Sequence, residues 1–141
     1  MKINFKIPNK FHFKTKLKIR VSDLNYGGHL GNDSVLSLAH ECRVRFFSHL
    51  NATERNFFNV GLIMADSAIK YKSQGYLNES ILVKISVTEI RSHGFKLFYL
   101  LKKDSNIDLA YIQTSMVCYD YDNSKILPLP EDFKNLLNES S

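Results

Sequence analysis

One short stretch of the chain, residues 23–33, concentrates the residue types that can do chemistry. Its sequence is Asp-Leu-Asn-Tyr-Gly-Gly-His-Leu-Gly-Asn-Asp. A two-residue apolar alternation precedes it and an apolar repeat of helical period follows it, which predicts a turn that feeds a helix N-terminus. Such a turn aims free backbone N–H groups and the positive helix end at one point. This geometry suits a site at which negative charge collects on an oxygen.

The elements on either side of this stretch must position it. Before it, alternate residues are apolar and are predicted to form one face of a long half-buried strand: Phe11, Phe13, Thr15, Leu17, Ile19 and Val21. After it, Asn32 or Asp33 is expected to cap a helix whose apolar residues recur at three and four positions: Val35, Leu38, Ala39, Cys42, Phe46 and Leu50. Because this helix is apolar over most of its surface, we expect other elements to wrap it.

The rest of the chain returns to a period of two. Strands are predicted at residues 60–71, 81–90, 95–101 and 109–121, with a tight turn at 92–94 and a short helix at 131–137. Strict alternation in the first of these puts Asp66 on one face with Leu62, Met64 and Ala68. Short hairpin-like turns predict a largely antiparallel sheet of about five strands, curved around one long central helix in an α+β arrangement.

The composition is that of an ordinary globular protein. Its 141 residues suit a single domain, 1–141, and a hydrophobic content of 44% with 23% charged residues predicts a proper core. The lysine-rich start is unlike a signal peptide, and no apolar run approaches the length of a membrane span, so we expect a cytoplasmic protein without membrane insertion. Cys42 and Cys118 have no metal-type spacing and are expected to be free and buried.

The basic residues are unevenly spread. Seven of the 19 precede the first acid, Asp23, whereas the rest of the chain carries a small acidic excess. A solvated strand face is one explanation of this basic segment. The others are docking of a nucleotide phosphate, an acidic carrier protein or nucleic acid. Nucleic acid is the least favoured, because Phe11 and Phe13 fall on the inward face and leave the basic residues without interleaved exposed aromatics.

The pattern Asp23-x-Asn25-x-Gly27-Gly28-His29-x-x-Asn32, followed by Glu41-Cys42-Arg43 on the helix, resembles a known signature. It is similar to that of the hotdog-fold acyl-CoA thioesterases of the 4-hydroxybenzoyl-CoA thioesterase type. The resemblance covers nearly the whole chain and implies the hotdog fold and hydrolysis of an acyl-CoA or acyl-carrier thioester. In family members with a catalytic aspartate, that residue occupies the position of Asn25, which cannot ionise.

Thioester hydrolysis needs donors for the carbonyl oxygen and an activated water or carboxylate. The N–H groups of Gly28 and His29 are predicted donors, and the Asn25 amide and the His29 ring can orient water or the thioester. Three carboxylates compete for the role of base. Asp66 and Glu41 are ranked nearly equal, and Asp23 comes third because its position favours holding the turn.

Lys70, Lys72 and Arg91 are candidates to meet the phosphates of coenzyme A, which enters only as part of the substrate. No metal or other cofactor is expected. A dehydratase fits the loop pattern less well than a hydrolase does, and a catalytically silent thioester-binding module is the main alternative. An open sheet edge and an open helix flank predict a homodimer or homotetramer, with each site completed by two chains.

Overall fold

The computed structural model describes residues 3–139. Its elements in chain order are β1 (Phe13–Lys18), a short 3₁₀ turn (Val21–Asp23), α1 (Asn32–His49), β2 (Gly61–Tyr71), β3 (Ser80–Ile90), β4 (Gly94–Lys103), β5 (Asp108–Asp120), β6 (Lys125–Ile126) and α2 (Glu131–Glu139). The strands form one antiparallel sheet in the order β1-β3-β4-β5-β2, and β6 pairs with the end of β5. The strands β1 and β2 are therefore the two edges, and the predicted α+β architecture is confirmed.

The inner face of the sheet packs against α1 and forms the core. Alternate residues of the three central strands are buried there: Ile81, Val83, Ile85, Leu97, Tyr99, Leu101, Ala110, Ile112 and Thr114. From the helix come Val35, Leu38, Ala39, Cys42, Arg43, Phe46 and Phe47. The opposite side of α1 remains exposed, so the helix is wrapped on one side only.

The N-cap of helix α1 lies at least one residue before the caps predicted from the sequence, Asn32 or Asp33. Gly31 is the N-cap residue, in an extended backbone conformation, and no side chain of the described residues caps the helix. The expectation that Asn32 or Asp33 provides the cap was wrong, since both residues lie inside the first turn. Among residues 3–139, neither helix combines the length and the apolar character needed to cross a bilayer.

The edge strand β2 contains a β-bulge that the alternation rule missed. Met64 lies opposite Met116 and Asp66 lies opposite Ser115, so Ala65 is an extra residue in the ladder. The bulge inverts the facing of every residue that follows it. Asp66 consequently lies on the outer face, away from Leu62 and Met64, and it is exposed. The prediction that Asp66 shares an apolar face with them was wrong.

The other edge strand, β1, is shorter than the predicted alternation, because the chain leaves the sheet at both ends. The preceding segment crosses the outer face, where Phe5 packs against Phe98 with ring centroids 5.9 Å apart and Ser86 Oγ donates to the Lys10 carbonyl at 2.6 Å. After Lys18 the backbone turns into the 3₁₀ segment. Three alternate lysines remain exposed on the outer side of β1: Lys14, Lys16 and Lys18.

Two arginines of α1 tie the helix to the rest of the fold in different ways. The buried Arg43 donates from Nε to Glu54 at 2.6 Å and from a terminal nitrogen to the Tyr99 hydroxyl at 3.1 Å. That hydroxyl lies 2.9 Å from Thr114 Oγ1. Half-exposed Arg45 donates to Thr15 Oγ1 and to the Lys16 carbonyl of β1, at 2.9 and 3.0 Å.

Candidate active site

A cleft of about 300 Å³ opens where the segment after β2 passes the N-terminal end of α1. Its volume lies at the lower end of the range for small-molecule sites. The lining comes from the loop, the helix and the end of β2: Asn25, His29, Leu30, Asn32, Val35, Tyr71, Lys72, Ser73, Gln74, Gly75 and Leu109. The predicted turn thus borders a real cavity, which we call the helix-start cleft.

Asn25 organises the loop that borders this cleft. Its Oδ1 accepts the backbone N–H groups of Gly27 at 3.0 Å and His29 at 3.2 Å, and its carbonyl accepts that of Gly28 at 3.1 Å. Because two N–H donors meet the same atom, that atom must be the amide oxygen. The amide nitrogen is then the polar atom that Asn25 can still direct at a ligand. It is a hydrogen-bond donor and cannot accept a proton from water.

These bonds change which donors are available to an oxyanion. The N–H groups of Gly28 and His29 already have partners inside the loop. Within residues 3–139, the first helical N–H groups, those of Asn32 and Asp33, have none. The start of α1 therefore offers an uncapped pair of donors at the positive helix end. A catalytic part for Gly28 and His29 remains a prediction.

Gly28 has a backbone role that is visible directly. Its φ is +76°, a left-handed conformation that suits glycine, while a Cβ there would have no neighbour within 4 Å. Backbone conformation rather than crowding makes glycine necessary at this position.

Two side chains complete the polar lining. His29 is half-buried, packs edge-on against Tyr76 with ring centroids 5.1 Å apart, and has no ring hydrogen bond within the described part of the chain. Tyr71, at the end of β2, donates its hydroxyl to the Asn32 carbonyl at 3.1 Å. Sequence reasoning missed Tyr71, although a tyrosine at the predicted end of a strand was the available signal.

Of the three candidate carboxylates, Asp23 is engaged in the turn before the loop. It is 4% exposed and accepts the Arg20 backbone N–H at 2.8 Å and the Arg20 guanidinium at 3.3 Å. Its carbonyl accepts the Gly31 N–H at 2.9 Å. Asp23 thus holds the two ends of the loop together, as its position favoured, and it is not part of the cleft lining.

The other two carboxylates lie on different sides of the molecule. Glu41 projects from the flank of α1 beside β1, where it pairs with Arg45 Nε at 2.7 Å. Asp66 lies on the outer face of the β2 edge and borders a separate cavity with Arg91 and His93. The Asp66 carboxylate has no hydrogen bond or ion pair among the described residues. The structure therefore brings Asn25 and His29 together with the helix start, but no carboxylate of the described residues lines that cleft.

A comparison with models of protein families identifies the family of this chain. The model described as the thioesterase-like superfamily matches residues 19–137, which include the loop, all the strands except β1, and α1. The chain belongs to the thioesterase-like superfamily. No match was found among curated protein sequences.

Solved structures, several of them described as thioesterases, share the hotdog fold of this chain. A 1,4-dihydroxy-2-naphthoyl-CoA thioesterase from Synechocystis superposes with a TM-score of 0.79 at 21% identity, covering 86% of this chain and 92% of that one. A hypothetical protein from Staphylococcus aureus, in complex with CoA, gives 0.83 at 13% identity over 96% and 87%. A probable thioesterase from Escherichia coli gives 0.74 at 19% over 84% and 90%. At sequence identities of 13–21%, the similarity to these structures shows a shared fold and nothing more specific.

The three basic residues predicted for coenzyme A do not converge in this superfamily member. Lys72 lines the helix-start cleft, with Nζ 5.6 Å from the centroid of the Tyr111 ring. Lys70 lies two residues before it on β2. Arg91 lies near the other end of that strand, in the hairpin after β3, and pairs with Glu89 at 2.6 Å. Of the three predicted residues, Lys72 lines the helix-start cleft, Lys70 is not part of that lining, and Arg91 lines the second cavity.

The cysteines are free and buried, as expected. Burial raises the pKa of the Cys42 thiol to about 12 and that of Cys118 to about 11. Both thiols therefore stay protonated at neutral pH and are poor nucleophiles. Within residues 3–139, no three metal-ligating side chains come together.

Proposed function

We propose that this superfamily member hydrolyses acyl thioesters at the helix-start cleft. The observation that carries the proposal is the uncapped start of α1, with two partnerless N–H groups, beside a polar cleft that Asn25 and His29 border. A thioester carbonyl oxygen held there gains negative charge as the reaction proceeds, and those donors stabilise it. The relatives named as CoA thioesterases support the same chemistry.

The reaction needs no group beyond water and a base. The water oxygen bonds to the carbonyl carbon while a carboxylate removes one proton, and the carbon–sulfur bond then breaks. The proton passes to the leaving thiolate, which leaves a free acid and a thiol. Asn25 and His29 are the groups placed to orient the thioester, because each borders the cleft with an uncommitted polar atom.

The base in this proposal comes from a second copy of the chain. No carboxylate within residues 3–139 lines the cleft, whereas the open β2 edge carries Asp66, whose carboxylate has no hydrogen-bond or ion-pair partner among those residues. Antiparallel pairing of two β2 edges would place Asp66 of the partner subunit beside the β2 strand of this chain, which ends at the cleft residue Tyr71. Glu41 is the weaker choice, since Arg45 holds it on the flank next to β1.

The lack of a carboxylate in the cleft lining of the described residues also favours one competing function. A cleft without its own carboxylate, and with asparagine at the family's acidic position, also suits a module that binds thioesters without cleaving them. In that case Asn25→Asp creates the missing base. A carboxylate at position 25 keeps the two loop bonds that Oδ1 accepts, so the variant is expected to fold.

Free thiol release from a panel of short, long and aromatic acyl-CoAs tests the proposal, with wild type and Asn25→Asp measured side by side. We expect turnover by the wild type and no gain from Asn25→Asp, because a second carboxylate beside the base repels it and displaces the attacking water. A wild type that is inert toward every ester, together with an active Asn25→Asp, would establish the binding module instead.

A further inference from the structure

The outer side of β1 carries a row of cations that the proposed hydrolysis leaves unused. Lys14, Lys16 and Lys18 alternate along this edge strand and are exposed, and Lys84 lies opposite Lys14 in the neighbouring strand β3. None of these four lysines has an ion pair among the described residues, because nearby Glu41 and Glu79 are paired with Arg45 and Lys103. Alternate strand residues are about 7 Å apart, so the row extends over about 13 Å.

The row leads toward the helix-start cleft. Lys18 and Arg20 flank the buried Ile19 in sequence. The Ile19 side chain packs directly against Gly75, because a Cβ on that glycine would lie 2.6 Å from Ile19 Cδ1. Gly75 is part of the cleft lining. A macromolecule bound along the lysines of β1 therefore has its nearest end one residue layer from the cleft.

The strand is not arranged to take a further strand. Arg45 already donates to the Lys16 carbonyl at 3.0 Å, and lysines along an edge oppose pairing with another sheet. The β1 edge is therefore poorly suited to pairing with another strand. Its exposed lysines instead form a cationic surface, which suits an anionic partner that binds through side chains.

The spacing of the cations distinguishes between anionic partners. The phosphates of a single nucleotide need donors that converge on one point, whereas these lysines are spread along a strand. Nucleic acid binding relies on several exposed stacking aromatics. Here Phe13 packs inward against Phe46 with centroids 5.4 Å apart, and the half-buried Phe11 ring lies under Lys84 Nζ at 5.5 Å. Evenly spaced exposed cations instead complement a protein surface with several carboxylates.

We infer that Lys14, Lys16, Lys18 and Lys84 dock an acidic carrier protein that presents its acyl thioester on a phosphopantetheine arm. The inference rests on the proposed hydrolysis and names the carrier for the same cleft. The carrier binds along the outer side of β1, and its arm passes the Lys18–Arg20 end to reach the helix start.

The test compares one acyl group on three carriers: pantetheine, CoA and a bacterial fatty-acid acyl carrier protein. We expect kcat/KM for the acyl carrier protein to exceed that for acyl-pantetheine by about tenfold or more at low salt, and the advantage to shrink as salt screens the charges. The triple variant Lys14→Glu, Lys16→Glu, Lys18→Glu should remove this advantage and leave acyl-pantetheine turnover unchanged. The milder triple Lys→Gln variant at the same positions serves if the reversal impairs folding.

A matched control reverses three cations elsewhere: Arg55→Glu, Lys125→Glu and Lys134→Glu. It has the same net charge as the first triple variant, so equal losses in both would mean a general charge effect and overturn the inference. Unchanged carrier turnover in the β1 variant would show that its lysines only protect the edge from pairing. A loss confined to acyl-CoA would assign them to the nucleotide phosphates.

Binding separates failure of this inference from failure of the proposed function. Fluorescence anisotropy of the labelled carrier protein, measured in the same salt series, reports docking whether or not any thioester is cleaved. Salt-sensitive binding that the β1 variant loses supports the surface even if acyl-pantetheine is not hydrolysed. Absence of binding alongside active hydrolysis of acyl-pantetheine overturns the surface and leaves the hydrolysis standing.

Discussion

The two edges of the sheet differ in almost every property that governs association. The strand β1 has six residues with three exposed lysines, and Arg45 occupies one of its outer carbonyls. The strand β2 has 11 residues, and its exposed side chains include Met64 and Tyr71, which are 40% and 46% exposed. Lysines protect an edge from pairing, whereas a long edge with exposed apolar side chains favours it. Our proposals assign the β1 edge to an anionic partner and the β2 edge to a second copy of the chain.

The helix-start cleft depends on this contrast. It lies at the Tyr71 end of β2, and no carboxylate among residues 3–139 lines it, so in our proposal a second chain paired at this edge supplies the base. The lysine edge lies on the other side of the sheet order and approaches the same cleft through Ile19 and Gly75. Under our proposals, β2 completes the chemistry and β1 delivers the substrate.

Making β2 resemble β1 should have the largest effect. The double variant Met64→Lys, Ala68→Lys adds one lysine to each face of the β2 edge, four in a twofold pair, and should convert a dimer to a monomer, because lysines on an edge strand oppose pairing. Thioester hydrolysis should fall at least a hundredfold with it. Light scattering at micromolar concentration and thiol release measure the two effects, with Lys125→Glu as a surface control. A folded wild type that is already monomeric would contradict the prediction.

The two carboxylates next to the two edges should differ in their effect on hydrolysis. Asp66→Asn removes the proposed base on the β2 edge and should lower kcat by about a hundredfold or more. Glu41→Gln removes an ion pair to Arg45 on the β1 side and should change kcat less than about threefold, since exposed pairs contribute little. Steady-state kinetics on the best acyl-CoA compare them. The opposite ranking would make Glu41 the base.

The two arginines of α1 should differ in their contribution to stability rather than to catalysis. Arg43→Ala removes the donor that Glu54 and the Tyr99 hydroxyl share, although Tyr99 keeps its contact with Thr114, and should cost about 1–3 kcal/mol of unfolding free energy. Arg45→Ala loses bonds at the half-exposed β1 edge and should cost about 1 kcal/mol or less. Urea unfolding measures both. Similar costs for the two would mean that the buried network contributes no more than the surface one.

The general fold was predictable from sequence because its signals are local and repeated. The loop motif, the helical stripe from Val35 to Phe46 and the hairpin turns each gave the right element. The bulge at Ala65 was not predictable, since one extra residue without glycine or proline leaves the apparent alternation intact and reverses its meaning. Arg43 is buried through partners that come from Glu54 and Tyr99, which are distant in sequence. The sequence left the choice of base between Asp66 and Glu41 open, and the two residues lie on different sides of the fold, a separation that depends on tertiary packing rather than on any local pattern.

The most direct test of a site shared between two chains is to mix two inactive variants. Gly28→Val should be inactive because valine at a φ of +76° strains the loop beside the helix start, and Asp66→Asn should be inactive through loss of the base. If the β2 edge brings the partner's Asp66 to the loop, a mixed dimer keeps one intact site. Equal amounts, unfolded and refolded together, should then recover roughly a quarter of wild-type thiol release. Recovery of nothing beyond the separate variants would contradict the shared site.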